Sequence, residues 1–153
     1  MSTIAVIRPD DWAIPLFVHI LGAMVLVGAL TLAAVSLIAA WRSGSARLIR
    51  LAYMSLFYGA VPGYIVFRAG AAWIVTKEHL TDSNAAWLGI GYGVSDFGVL
   101  LLIISLVAGG ISVRQMNRGG QPSLIAARIV TGLVSLVLVA YLVAVWAMTT
   151  KPT

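Results

Sequence analysis

The chain has no cysteine, which removes disulfides, thiolate metal ligands and cysteine nucleophiles from its chemistry. Histidine is nearly as scarce, with His19 and His79 the only two. Charge is thin as well: 10% of residues are charged, against about 25% in an ordinary soluble domain. Only five residues are acidic, and only Asp96 among them lies inside a long apolar run. There is no GxSxG, no phosphate-binding loop and no HExxH. Nucleophilic, nucleotide-driven and zinc-hydrolase chemistry therefore find no foothold. The chain reads more as a non-enzyme than an enzyme, and no cofactor is predicted.

What is present is hydrocarbon. Hydrophobic residues make up 61% of the 153, and the mean hydropathy is +1.01. Four apolar stretches each reach the roughly 20 residues that cross a 30 Å hydrocarbon core. The expected fold is all-α: a polytopic membrane protein, one domain over residues 1–153, built as an antiparallel four-helix transmembrane bundle. The helices are expected over residues 12–41, 48–76, 87–113 and 123–149. Asp11 is placed to cap the first, Pro15 falls in its first turn, and Pro122 marks the start of the fourth. Pro62-Gly63 predicts a kink in the second. Asp10 and Asp11 precede a first run too long for a signal-peptide core, so that run is expected to stay as a helix. The connections are short, which makes successive helices antiparallel.

The net charge of +5 is a matter of orientation, not of nucleic acid. Arg42, Arg47 and Arg50 flank the first loop, and Arg114, Arg118 and Arg128 the third. Arg8, Lys77 and Lys151 lie on the other side. Positive residues collect on the cytoplasmic side, so both termini are expected outside. The tryptophans Trp12, Trp41, Trp73, Trp87 and Trp146 all fall near span ends, as an interfacial belt requires. The two hairpins also share a faint tandem pattern, Trp73-Ile-Val-Thr-Lys77 beside Trp146-Ala-Met-Thr-Thr-Lys151. Shared interface chemistry accounts for that match about as well as duplication does.

Measured from the outer tryptophans, one polar residue per helix arrives at a similar depth. His19, Arg68, Asp96 and Tyr141 lie roughly 10, 8, 14 and 8 Å below the belt at 1.5 Å per residue. Asp96 shares a helical face with Gly89, Tyr92 and Gly93, and Gly89-x-x-x-Gly93 is a close-packing pattern. His19 shares its face with Gly22 and Ala23, and Arg68 with Tyr64, Ala71 and Ala72. All three ionisable residues are therefore expected to face the bundle interior, and Arg68 is expected to pair with Asp96. Gly59-x-x-x-Gly63 supplies a further contact surface, within the chain or between chains.

Three uses of this layer stay open: a clasp that fixes helix register, an arginine snorkelling toward the headgroups, and a polar site for a proton, ion or small ligand. In the last, His19 and Tyr141 join Arg68 and Asp96 as candidate ligand or ion contacts. His19 is also the one candidate metal ligand inside a span, since a bis-histidine haem with His79 would need a ligand from the outer loop. Methionines such as Met24, Met54 and Met148 are scattered and form no metal box. Ser36, Ser55, Ser95 and Ser105 read as hydroxyls bonded to helix carbonyls.

Three stretches carry a family resemblance: Pro15-Leu-Phe-Val-His19-Ile-Leu-Gly22-Ala23, Trp87-Leu-Gly-Ile-Gly-Tyr-Gly-Val-Ser-Asp96, and Tyr141-Leu-Val-Ala-Val-Trp-Ala-Met-Thr. Together they resemble a family of small, uncharacterised bacterial integral membrane proteins, common in actinobacteria. The resemblance implies four membrane helices and brings no activity with it. The His19-x-x-Gly22-Ala23 opening is also similar to the first helix of the larger copper-resistance D membrane proteins, which implies copper handling as an alternative. The leading expectation is a multi-pass protein of the bacterial plasma (inner) membrane with a polar site near the outer face. It would bind or move a small ion, proton or molecule, as a homo-oligomer or as part of a larger membrane complex. The alternatives are a metal- or haem-linked redox protein using His19, and a structural subunit with no ligand.

Overall fold

A computed structural model describes residues 13–77, 86–121 and 124–150, with the side chains of residues 86–88, 124, 148 and 150 left undescribed. Trp12, His79, Pro122 and Lys151, and the side chains of Trp87 and Met148, thus lie outside the described residues. The described residues form helices and turns, with no strand. There are four long helices: α1 (Ala13–Ser43), α2 (Ala46–Lys77), α3 (Ala86–Asn117) and α4 (Leu124–Thr150). Each is long and apolar enough to cross a membrane. Residues apolar on every face suit a helix whose outside meets lipid and whose backbone must bond to itself. Accordingly, large side chains such as Phe17, Met24, Phe97 and Val139 stand exposed around the bundle.

The turns are made by glycine where the chain needs left-handed backbone. Gly44 has φ 65° and its N–H donates to the Ala40 carbonyl at 2.8 Å, ending α1. Gly119 has φ 80° in the turn after α3, where the Gly120 N–H reaches back to Gln115 at 3.1 Å. Among the described residues α1 runs to Ser43 and α3 to Asn117, past the expected ends at 41 and 113.

The kink expected at Pro62 takes a specific form. Leu56–Ala60 is a single π turn inside α2, in which the Val61 N–H donates to the Leu56 carbonyl. Pro62 has no N–H for the carbonyl of Tyr58, and its ring would crowd that carbonyl in a regular helix. A wider turn relieves both faults.

Two packing modes hold the bundle. Between α1 and α2 the backbones touch. A Cβ on Gly63 would lie 2.8 Å from the Leu26 nitrogen, and one on Gly70 would lie 2.6 Å from the His19 nitrogen. A Cβ on Gly22 would collide with the backbone of Phe67, and one on Gly59 would meet the Ala29 side chain at 2.7 Å. The Ser55 hydroxyl adds a bond to the Ala29 carbonyl at 2.8 Å. Without a solvent-driven hydrophobic force between helices in lipid, such close approach is what supplies dispersion contact.

Between α3 and α4 the seam is a heptad. Ser95, Gly98, Leu102, Ser105, Gly109 and Ser112 are buried on α3 at alternating steps of three and four. Ala127, Val130, Val134, Val137, Tyr141 and Ala144 answer them on α4 with the same alternation. Gly109 and Gly110 also make room for the Tyr53 ring of α2, 3.1 Å from a Cβ at Gly109.

Around the bundle the order is α2, α1, α4, α3, and the ring closes unevenly. The first half of α2 packs on α3 near the first and third loops, where Arg50 Nη2 donates to Asn117 Oδ1 at 2.7 Å. The second half of α2, Val61–Lys77, packs on α1 and stands apart from α3. The bundle is therefore closed at one end and parted between α2 and α3 at the other.

Candidate functional site

Arg68 and Asp96 meet across this parting. Arg68 Nη2 lies 3.1 Å from Asp96 Oδ1, an ion pair between helices whose backbones are otherwise separate at that level. The guanidinium carbon sits 4.6 Å above the Tyr92 ring, adding a cation–π contact. Tyr64 precedes Arg68 by one helical turn, and Tyr92 precedes Asp96 by one turn. Each charge thus carries an aromatic ring on its own helix.

The pair does not lie in the core. The side chains of Arg68 and Asp96 are 35% and 64% exposed. This corrects the expectation that Asp96 faces the interior through Gly89 and Gly93. The heptad running from Ser95 to Ser112 claims the inner face of α3, and Asp96 is turned about 100° from Ser95. Gly89 and Gly93 are exposed, and a Cβ on either meets nothing within 4 Å among the described residues. Six small or medium residues at heptad spacing outcompete two glycines because they offer a longer close-packed seam.

Tyr141 is buried near the pair, 5% exposed, with its ring 3.1 Å from where a Cβ on Gly98 would lie. Its hydroxyl lies close to the Ser95 hydroxyl and feels the charges of Arg68 and Asp96 and the neighbouring Tyr64. The Tyr141 and Ser95 hydroxyl oxygens are both sealed from solvent, and neither has a hydrogen-bond partner among the described residues. Buried hydroxyls nearly always find partners, and these two are close enough to serve one another with a small side-chain adjustment.

His19 is kept out of this cluster by Phe67. Its Nδ1–H donates to the Phe67 carbonyl at 3.0 Å, and its ring stacks on Phe67 with centroids 4.5 Å apart. The other side of Phe67 meets Tyr141 edge-on at 5.8 Å. Three rings from α1, α2 and α4 thus form a row, with the histidine at the far end from the carboxylate. Gly70 creates the space for His19, and Gly22 lets Phe67 approach.

No family model, curated protein or solved structure matches this chain.

The donor inventory is narrow. Among the described residues no three His, Cys, Asp or Glu side chains gather as a metal would need. His19 has already committed Nδ1 to a backbone carbonyl. An internal gap of about 10 Å³, lined by Leu37, Tyr53, Ser112 and Val130 among others, lies near the closed end and is almost wholly apolar. The polar chemistry is concentrated at the parted end, in Tyr64, Arg68, Tyr92, Ser95, Asp96 and Tyr141. Phe67 and Ser95 were not among the candidate contacts read from the sequence. The heptad through Ser95 is visible there in principle, whereas the role of Phe67 depends on the π turn that sets its direction.

Proposed function

We propose that this chain is a multi-pass protein of a bacterial plasma membrane that binds or moves a small ion, a proton or a small polar molecule through the parted end of its bundle. The carrying observation is the Arg68–Asp96 pair, which with the Arg68–Tyr92 contact links the helices across that parting near the buried hydroxyls of Ser95 and Tyr141. A charge inside a bilayer costs about 2.5–3.5 kcal/mol on insertion scales, and helices that need only packing have cheaper ways to obtain it, as α1 and α2 do with glycine. The distribution of Lys and Arg puts the parted end at the outer face.

The test is flux through the full chain reconstituted in liposomes, with protons and monovalent cations as probes. Asp96→Asn is expected to lower the flux at least tenfold while helicity and detergent melting are retained. Arg68→Ala is expected to do the same, and the double variant should destabilise less than the two singles added. Wild-type flux no greater than empty liposomes, or flux unchanged in Asp96→Asn, overturns the transport reading in favour of a structural clasp.

A further inference from the structure

We propose that a second copy of this chain covers the outer face of α3, so that each Asp96 is held between its own Arg68 and that of its neighbour. The starting point is an imbalance of place and chemistry. Asp96 lies nine residues past Trp87 along α3, roughly 14 Å of helix. Its side chain is nonetheless 64% exposed on the outside of the bundle. A carboxylate offers two oxygens with about four lone-pair sites, and a guanidinium five N–H donors. Among the described residues the carboxylate has one ion-pair contact, at 3.1 Å, and the guanidinium has that contact and the Tyr92 ring, which leaves most of that capacity unused; inside a bilayer unmet polar groups are costly.

Whatever covers the pair must bring a donor to the carboxylate and an acceptor to the guanidinium, side by side. The pair's own image under a two-fold axis along the membrane normal does this: plus faces minus and minus faces plus. An isologous contact needs no partner of different chemistry. It would convert two half-met ion pairs into a ring of four charges closed to lipid.

The face around Asp96 permits the approach. Gly93 lies three residues before it and Gly89 seven, both exposed and with open space at the Cβ position. Gly22, Gly59, Gly63 and Gly70 are each filled by a neighbouring helix, whereas Gly89 and Gly93, like Gly28 on α1 and Gly132 on α4, stand open, and of these only Gly89 and Gly93 share a helix with the charge. Below Asp96 the same face continues with Leu100, Ile103 and Val107, all more than half exposed. Two α3 helices crossing at Gly93 would place the charges one turn below the crossing and the apolar residues beneath. Coverage by a second copy follows from the exposure of the pair, whatever the pair carries.

The experiment reads association, not flux, so its failure is separable from failure of the transport reading. The full chain is labelled and diluted in lipid bilayers, and its stoichiometry is counted by single-molecule photobleaching. Dimers are expected. Gly93→Leu is expected to weaken dimerisation at least tenfold, because the new side chain fits the protomer but blocks the crossing. Arg68→Ala should weaken it as well. Gly132→Leu, at an equally open glycine on α4, should change it by less than twofold.

Because the chain has no cysteine, Leu100→Cys gives a second measurement that leaves the glycines untouched. Mild oxidation in native membranes should yield a disulfide dimer, and Val139→Cys on α4 should not. A monomer at all densities, Gly93→Leu dimerising like the parent, or cross-linking through Val139→Cys as readily as through Leu100→Cys overturns the proposal.

Discussion

Phe67 stands between two polar groups that share a depth, and that position decides what each can do. On one side the His19 ring is spent on a backbone carbonyl, 3.0 Å from Nδ1, where it acts as a bolt between α1 and α2. On the other side the Tyr141 hydroxyl is buried without a hydrogen-bond partner among the described residues. A buried hydroxyl in that condition carries a desolvation penalty of about 1–3 kcal/mol. Tyr141→Phe removes the oxygen and keeps the ring against Phe67 and Gly98, so unfolding in detergent should be unchanged or harder by up to about 1 kcal/mol. A loss of more than about 1 kcal/mol would mean the hydroxyl has a partner in the folded protein. At this scale the sequence is a partial guide. Spacing along α2 and α3 is enough to pair Arg68 with Asp96, since one long side chain spans a wide gap. It does not reveal that Phe67 screens His19 from them, because a ring's screening depends on the azimuth of three helices at once.

The π turn is what sets that azimuth on α2. A single widened turn holds one residue more than an α turn, so every later residue is rotated back by about 100°. Phe67 therefore meets His19 and Tyr141 where Val66 would otherwise stand, and Arg68 faces α3 from the next position. Removing the extra residue from within the turn should restore a plain helix without disturbing either flank. Deletion of Tyr58, combined with Pro62→Ala to supply the missing N–H, is expected to hold stability within about 1 kcal/mol of the parent. Deletion of the exposed Ile65 outside the turn should instead swing Phe67 and Gly70 off α1, at a cost of several kcal/mol. Chemical denaturation of both variants in mixed micelles checks the difference, and equal losses would refute the register argument. Helix number, span and order are legible in the sequence because length and apolarity alone determine them. The inward face of α3 is not legible in Gly89-x-x-x-Gly93, a pattern too short to outweigh a longer seam. The seam that won is spread over eighteen residues, from Ser95 to Ser112, and no single step of it stands out.

Two hairpins of different character make up the whole: α1 with α2 joined backbone to backbone, α3 with α4 joined by a side-chain heptad. Tyr53 and Arg50 tie them at one end, while the other end is bridged between α2 and α3 by the ion pair. Which end faces out decides what can reach the pair. Arg42, Arg47, Arg50, Arg114, Arg118 and Arg128 gather at the tied end, against Lys77 at the parted one, with Arg8 and Lys151 outside the described residues. Translocating that basic end would be opposed by the same bias that orients other membrane proteins, so the tied end is expected in the cytoplasm. Single cysteines test this cleanly in a chain that has none of its own. Lys77→Cys should react with a membrane-impermeant maleimide added to intact cells, and Gln115→Cys only after the cells are opened. The reverse pattern would turn the parting toward the cytoplasm. The pair would then have to be supplied from inside the cell, and a site filled from the outer face would no longer be tenable.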